Sequence, residues 1–252
     1  MNTWSILNHF DTTKNEWREA LIVWQKYLET NTAMTSAQRE EFISRLSCRQ
    51  QQQKDDALAE IQTAYFIECV SGLRIIEWKT KGLGNYELEF SFICNNTKIV
   101  CEVKRPSWKA DIVDRYGEHS LRLKRPKYLT DDPEISFRRS PMLIIREQIE
   151  EMLEKLRNDQ PSLLVIKDNL WGYDTYDCLS DMRLNKIEPI WPSEYKNIGG
   201  ILALSVRSQD ELSFVIYKSV FMRNLNALFK CQLPKDLYFF EYRTPTAREE
   251  LG

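Results

Sequence analysis

The apolar positions in the first part of the chain follow a helical period. Apolar residues recur at intervals of three and four between residues 17 and 28, and this spacing predicts a first helix. Thr35-Ser36-Ala37-Gln38 has the composition of a capping box, which predicts a second helix that continues to about Arg49. A third helix is predicted from about Lys54 to Val70, because Ser71-Gly72 is a typical helix end. The N-terminal part of the chain is therefore expected to be helical.

After Gly72 the pattern changes to that of extended strands. Three short apolar runs follow in close succession, and turn residues separate them. The turns are predicted at Gly82-Leu83-Gly84-Asn85 and at Asn95-Asn96. The strands that they connect are predicted at Leu73–Trp78, Tyr86–Ile93 and Lys98–Lys104.

The rest of the chain combines a long polar segment with one helix and several strands. The segment from Arg105 to about Pro141 has no clear period and is predicted to be a loop. An amphipathic helix is predicted from about Met142 to Arg157, and the stretch from Trp171 to Asn197 is irregular. Further strands are predicted at Leu163–Ile166, Ile201–Val206, Leu212–Ser219 and Leu237–Tyr242.

This order of elements predicts the α/β class. A helix, three linked strands, a second helix and further strands indicate a central mixed sheet flanked by helices. We expect an N-terminal helical extension over residues 1–53 and an α/β domain over residues 54–252.

The charge balance excludes a uniformly basic nucleic-acid binder. Lys and Arg number 35 and Asp and Glu 37, for a net charge of −2, which still leaves room for a local basic patch. Six scattered cysteines without a C-x-x-C pair, and only two histidines, argue against a zinc site and fit a reducing cytoplasm. The first residues lack a cationic start followed by an apolar stretch, and no apolar run reaches membrane-spanning length, so we expect no export and no membrane span. We therefore expect a cytoplasmic protein with no membrane partner.

Two predicted strands bring charged side chains together. Because side chains alternate along a strand, Glu102 and Lys104 lie on the same face. A two-residue turn at Asn95-Asn96 would then place Glu89 directly opposite Glu102, and Glu87 directly opposite Lys104. Facing carboxylates, with Cβ atoms about 5 Å apart, repel each other unless a cation lies between them.

The cation predicted between Glu89 and Glu102 is Mg²⁺, with Mn²⁺ as the alternative. Hard divalent ions of this kind prefer carboxylate and water oxygens. Lys104 beside the pair could orient or deprotonate a water, or neutralise charge that develops on a phosphate. These are the parts required for metal-assisted hydrolysis of a phosphodiester.

The same pattern resembles a known group of nucleases. An acid on one strand, then Glu102-Val103-Lys104 on the next strand, with a glutamate on the preceding helix, resembles the PD-(D/E)XK nuclease superfamily. The resemblance covers about residues 54–170 and implies the restriction-endonuclease-like fold and hydrolysis of DNA, with RNA as the alternative. It also implies that Glu89 and Glu102 hold the metal. The catalytic residues that it implies are Glu60, Glu89, Glu102 and Lys104.

Two of these assignments leave alternatives open. The chain has Glu where the family usually has Asp, and no proline precedes this acid, so Glu87 is an alternative to Glu89. On the helix, Glu60 shares a stripe with apolar residues and is expected to point away from water. Alternatively, Glu60 is an acidic residue of the first helical turn, where the helix dipole favours negative charge. Glu68 is the alternative to Glu60 on the same helix.

A local excess of basic residues follows the predicted site. The segment Lys104 to Lys127 carries eight basic and three acidic residues, and its aromatic residues include Trp108 and Tyr116. Such a segment suits phosphate contacts and stacking on exposed bases, although a solvated loop with incidental charge has the same composition. The predicted nucleic-acid-binding residues are Arg105, Lys109, Arg115, Arg122, Lys124, Arg125 and Lys127.

Three hypotheses for the function follow. The first is a metal-dependent nuclease that acts on DNA. The second is a catalytically inactive module of the same fold that binds nucleic acid or protein and whose carboxylates serve structure. The third is an interaction protein built around the N-terminal helices. Divalent-metal binding distinguishes the first from the second, and a homodimer is compatible with all three.

Overall fold

The computed structural model describes residues 4–10, 15–105, 112–114, 135–137, 141–157, 159–168, 195–209, 212–224, 227–230 and 240–243. In this part of the chain, a seven-stranded mixed sheet is flanked by α-helices, as the α/β prediction requires. The α-helices are α1 (Asn15–Thr30), α2 (Ser36–Ser47), α3 (Gln51–Tyr65) and α4 (Pro141–Lys155), and a 3₁₀ turn (Ile6–His9) precedes α1.

The helix ends follow the local signals in the sequence. The Thr35 hydroxyl accepts from the Gln38 backbone N–H at 3.3 Å, and the Gln38 side chain accepts from the Thr35 backbone N–H at 2.9 Å. The predicted capping box at α2 is therefore confirmed. Helix α3 begins earlier than predicted, at Gln51, and continues into a π-helical turn at Phe66–Val70. Gly72, with a φ of 69°, follows this turn in the left-handed region that favours glycine.

The first three strands form an antiparallel meander. They are β1 (Arg74–Lys81), β2 (Glu87–Cys94) and β3 (Thr97–Lys104). Asn95 and Asn96 have φ values of 48° and 61°, as a two-residue hairpin turn of this kind requires. Cys94 pairs with Thr97, so the predicted hairpin register is confirmed.

The remaining strands extend the sheet beyond β3. They are β6 (Ser162–Asp168), β7 (Ile198–Gln209), β8 (Leu212–Arg223) and β9 (Phe240–Arg243). Strand β6 pairs in parallel with both β3 and β7, whereas β8 and β9 add in antiparallel fashion. The sheet is therefore mixed, with its parallel strands in the centre.

The prediction of an unstructured loop from Arg105 to Pro141 is wrong in part. Strands β4 (Ile112–Asp114) and β5 (Ile135–Phe137) pair as a small antiparallel sheet within it. Each strand has three residues, which is too short for alternation of apolar and polar positions to be visible in the sequence.

The N-terminal helices pack on one face of the sheet. Trp24 of α1, Phe42 of α2 and Ile61 of α3 share a buried cluster with Phe90 and Cys101 of the sheet. Burial of each large apolar side chain contributes about 1.5–3 kcal/mol. The division between an extension and an α/β domain at residue 53 stays a prediction. In the described part of the chain, no helix combines the length and the apolar character that a membrane crossing requires.

Helix α4 contacts the opposite face. Side chains of Val100, Glu102 and Leu164 alternate with those of the buried cluster and therefore point away from it. Lys155 of α4 contacts Glu102 on this face, and Glu151 of α4 contacts Lys104. The central strands thus lie between two helical layers.

Candidate functional site

The predicted carboxylates meet where strands β2 and β3 separate. The registered pairs end with Phe90 and Cys101, one position before Glu89 and Glu102. There the Val103 backbone N–H donates to Glu89 Oε2 at 3.3 Å, and the Glu89 and Glu102 carboxyls interact with each other. We call Glu89 and Glu102 the carboxyl pair. The two carboxyls are close to each other, with Lys104 adjacent to Glu102, although the registered pairs of β2 and β3 stop one position short of Glu89 and Glu102.

Glu102 is the most enclosed member of the pair. Its side chain is 1% exposed. Lys155 of α4 donates to its Oε1, and Lys104 Nζ lies 3.3 Å from the same oxygen. The other oxygen, Oε2, is buried and accepts no hydrogen bond from any amine, amide or hydroxyl of the described chain. Such an oxygen needs either a proton on the neighbouring carboxyl or a bound cation.

The two carboxyls differ in their affinity for a proton. Burial, followed by the negative charge of Glu102, raises the pKa of Glu89 well above its usual range. Burial also acts to raise the pKa of Glu102, but hydrogen bonds with Glu89 and Lys155 outweigh it and the net shift is downward. Without a bound cation, the proton that the pair shares therefore resides on Glu89, and Glu102 is ionised.

Lys104 is held between two carboxylates. Its Nζ donates to Glu151 Oε2 of α4 at 2.9 Å and lies 3.3 Å from Glu102 Oε1. Burial acts to lower the pKa of Lys104, but the hydrogen bond to Glu151 and the charge of Glu102 outweigh it, so the net shift is upward. Lys104 therefore remains a cation.

The prediction that Glu87 of β2 lies opposite Lys104 is wrong. Glu87 was expected opposite Lys104, but it is exposed and is registered with Lys81 of β1. The reason is that β2 separates from β3 before reaching Glu87, so the hairpin register does not extend that far. Of the two alternatives, Glu89 is the one that contacts Glu102.

Glu60 lies beside the carboxyl pair on helix α3. It is 5% exposed, and Arg45 of α2 binds both of its carboxylate oxygens, with the Nη1–Oε2 distance at 3.0 Å. Lys79 Nζ is 3.7 Å from Glu60 Oε2, and Lys79 has a φ of 53°, in the left-handed region. The negative charge of Glu60 contributes to the raised pKa of Glu89, so the two groups are within electrostatic reach.

Glu68, the alternative to Glu60, belongs to a different polar network. Its Oε2 accepts from the Tyr27 hydroxyl at 2.8 Å and from the Asn31 side chain at 2.9 Å. Burial, followed by the Glu68 charge, raises the pKa of Tyr27, which therefore stays protonated as a donor. The structure thus places Glu60, and not Glu68, near the carboxyl pair.

Of the predicted nucleic-acid-binding residues, the structure describes one. Arg105 contacts two acids at the start of α3, with its Nε 2.9 Å from Asp56 Oδ1 and its Nη1 3.3 Å from Asp55 Oδ2. The start of the basic segment is therefore tied to the helix that carries Glu60. The other six, which are Lys109, Arg115, Arg122, Lys124, Arg125 and Lys127, lie outside the described residues.

Sequence reasoning missed four charged residues of the site. Arg45, Glu151 and Lys155 lie on helices distant in sequence, and a charged residue on an amphipathic helix normally indicates a solvated face. Lys79 lies on β1 with a left-handed backbone that nothing in its sequence context indicates. The sequence signal that could have indicated Lys155 was its position on the predicted amphipathic helix after the long polar segment.

The carboxyl pair fits a hard divalent ion. The described residues contain no group of three or more His, Cys, Asp and Glu side chains arranged to hold a metal, so the donors at this position are the two carboxyls. Mg²⁺ commonly binds through one or two carboxylates and keeps several waters or substrate phosphates as its other ligands. The free, buried Glu102 Oε2 is the oxygen that such an ion would satisfy.

The raised pKa of Glu89 predicts how stability changes with pH. A glutamate whose pKa is higher in the folded state loses stability as pH rises from its ordinary range through the raised value. Glu89→Gln removes this loss while keeping a neutral side chain that can accept from Val103. We expect the melting temperature of the variant, relative to the parent, to increase steadily between about pH 5 and pH 9.

Thermal unfolding of both proteins across this pH range checks the prediction. Glu77→Gln is the matched control, because Glu77 is an exposed glutamate of β1 that forms an ion pair with Lys98 of β3. An advantage of Glu89→Gln that is equal at all pH values, or equal to that of the control, would contradict a protonated Glu89.

Comparisons with known proteins find one distant structural likeness. No family model matches the chain, and no curated protein matches it. Among solved structures, the chain is similar to Pyrococcus furiosus SfsA in complex with Ca²⁺, at 17% identity and a TM-score of 0.26. The match covers 69% of this chain and 64% of that one, so the chain spans less than two thirds of its length. A likeness at this TM-score carries no assignment of function, and the proposals below depend on the chain's own residues.

Proposed function

We propose that this protein is a metal-dependent nuclease of the PD-(D/E)XK type, which hydrolyses phosphodiester bonds in DNA, with RNA as the alternative substrate. The observation that supports this most is the buried, ionised Glu102, whose Oε2 has no nitrogen or hydroxyl donor, beside Glu89 and Lys104. A buried carboxylate oxygen without a nitrogen or hydroxyl donor costs stability unless it has a function.

The carboxyl pair would hold the metal. Glu102 Oε2 and the Glu89 carboxylate are the donors for Mg²⁺, with Mn²⁺ as the alternative ion. When bound, the ion supplies a water of lowered pKa and neutralises charge on the phosphate. Glu89 must give up its proton for this role, so its raised pKa couples metal binding to proton release.

Lys104 is proposed to stabilise the charge that develops on the phosphate. Its raised pKa keeps it protonated, which favours this role over that of a general base. The contacts with Glu102 and Glu151 fix the ammonium in place before a substrate arrives. A fixed charge of this kind stabilises a transition state without reorganisation during the reaction.

Glu60 is proposed to act as a positioning residue. It is enclosed by Arg45 and Lys79, and therefore it acts on the pair through its charge. That charge raises the pKa of Glu89 and, with its two cations, sets the electrostatic environment of the carboxyl pair.

The basic segment 105–128 is proposed to bind the nucleic-acid backbone. The triple variant Arg122→Ala, Lys124→Ala and Arg125→Ala is expected to lower affinity about equally for unrelated sequences, because phosphate contacts carry no base information. Affinity of the parent should fall steeply with salt, and the triple variant should show a shallower slope. Fluorescence anisotropy with two unrelated duplexes over a salt series measures both effects. Affinity that is independent of salt, or unchanged in the triple variant, would assign this segment to a solvated surface.

Cleavage by the parent protein tests the proposed function. Supercoiled DNA, linear duplex DNA and single-stranded RNA are incubated with Mg²⁺, with Mn²⁺ or with a chelator. We expect metal-dependent cleavage of DNA and none with the chelator. The binding-module hypothesis predicts retention of nucleic acid without cleavage in any metal. The same test therefore separates an enzyme from an inactive module.

A further inference from the structure

Lys155 is held at the carboxyl pair by its backbone as well as by its charge. Its Nζ donates to Glu102 Oε1, and its backbone carbonyl accepts from the Leu83 N–H at 2.7 Å. Gly82 lies directly against this carbonyl, because a Cβ at this position would be 2.5 Å from the Lys155 oxygen. The turn between β1 and β2 therefore fixes the end of α4 and directs the Lys155 side chain to Glu102.

The contact with Lys155 satisfies one of the two carboxylate oxygens of Glu102. Lys155 contacts Oε1, with Lys104 close to the same oxygen, while neither lysine bonds to Oε2. Among the described residues around the pair, four carboxyls are matched by four cations. The carboxyls belong to Glu60, Glu89, Glu102 and Glu151, and the cations to Arg45, Lys79, Lys104 and Lys155.

This balance sets the conditions under which a divalent ion could bind. With Glu89 protonated, these eight groups carry a net charge of +1, and with Glu89 ionised they are neutral, so an added divalent ion meets no net negative charge among them. Lys155 also lies near the oxygens that the ion would use, and like charges at this separation repel by several kcal/mol in a partly buried site. Lys155 is also the most exposed of the four cations, with 26% of its side chain accessible, so it has a route to solvent.

We propose that Lys155 is a tethered counter-ion of Glu102 that competes with the divalent ion for this carboxylate. The free protein then holds the metal weakly, because binding requires the ammonium to weaken or leave its contact with Oε1. This inference rests on the proposed function, since it concerns the metal that the nuclease would use. It assigns Lys155 as a positioning residue that sets metal affinity.

Metal titration of a charge-removing variant tests the proposal. Lys155→Met keeps most of the side-chain volume and removes the ammonium. We expect its affinity for Mn²⁺, measured by electron paramagnetic resonance and by calorimetry, to be at least about tenfold higher than that of the parent. Addition of Mn²⁺ should also raise its melting temperature more than that of the parent.

Two further variants make the test independent of folding defects. Lys155→Gln keeps an N–H donor for Glu102 while it removes the charge, and it should change affinity in the same direction. Lys98→Met removes an exposed lysine of β3 that pairs with Glu77, and it should leave Mn²⁺ affinity unchanged. Circular dichroism confirms that each variant is folded.

The outcomes separate this inference from the proposed function. Affinity of the Lys155 variants that is equal to or lower than that of the parent would overturn the counter-ion role, and metal-dependent cleavage by the parent would then still support the nuclease. Absence of Mn²⁺ binding in the parent and in every variant, with and without DNA, would overturn both.

Discussion

Glu102→Gln and Lys104→Ala are each expected to abolish most metal-dependent DNA cleavage while the protein remains folded. Glu102→Gln removes the charge of the proposed metal ligand, and Lys104→Ala removes the fixed cation that contacts it. Loss of a preorganised charge of this kind typically lowers the rate about 10²- to 10³-fold, and loss of the metal ligand should cost at least as much. Single-turnover cleavage of a labelled duplex at saturating Mg²⁺ measures both.

Lys98→Ala is the matched control for these variants. Lys98 lies on the same strand and face as Lys104 but at the other end of β3. There it forms an ion pair with the exposed Glu77 of β1. Its cleavage rate should equal that of the parent. Wild-type rates in both site variants would show that the activity arises elsewhere or from a contaminant.

Arg45→Met is expected to give a large loss of stability. Arg45 binds both oxygens of the buried Glu60, and its guanidinium also lies 5.2 Å from the centre of the Phe42 ring. Removal of one partner leaves a buried charge with weaker compensation. Because Lys79 remains near Glu60, we expect the free energy of unfolding to fall by about 3 kcal/mol, which is the low end of the range for removing one partner of a buried ion pair.

The double variant Arg45→Met/Glu60→Met distinguishes the cause of this loss. If the loss arises from the uncompensated Glu60, the second substitution should restore most of the stability. Arg157→Met removes an exposed ion pair with Asp159 and should change the free energy by less than about 1 kcal/mol. Urea unfolding of the parent and the three variants provides the values. A double variant that is less stable than Arg45→Met would contradict the account of Glu60.

The sequence predicted the carboxyl pair because a local signal controls it. The Asn95-Asn96 turn sets the register of β2 and β3, and alternation then places Glu89 opposite Glu102 without any information from the rest of the chain. The boundaries of α4 and of the parallel strand β6 were also predicted closely, since α4 has a helical apolar period and β6 is a short continuous apolar run.

The cations around the pair could not be predicted in the same way. Lys155 is 53 residues from Glu102, and Arg45 is 15 residues from Glu60 on a separate helix, so only tertiary packing brings these groups together. Repulsion between facing carboxylates predicts positive charge between them, and Mg²⁺ is the ion that the sequence predicts there. The structure shows that the ammonium groups of Lys104 and Lys155 supply part of this positive charge.

The structure also changes one expectation about stability. Repulsion between the two facing carboxylates, taken alone, predicts that Glu102→Gln stabilises the fold. Because Glu102 is the ionised member and binds two lysines, the stabilising substitution is now expected at Glu89.

Location of a bound metal ion tests the central claim most directly. Crystals of the protein with a DNA duplex and Mn²⁺, measured at the manganese absorption edge, would show the ion by its anomalous signal. The account predicts a peak within metal-ligand distance of Glu102 Oε2 and of the Glu89 carboxylate. A peak at another position, or no peak beside Glu102 at saturating Mn²⁺, would contradict it.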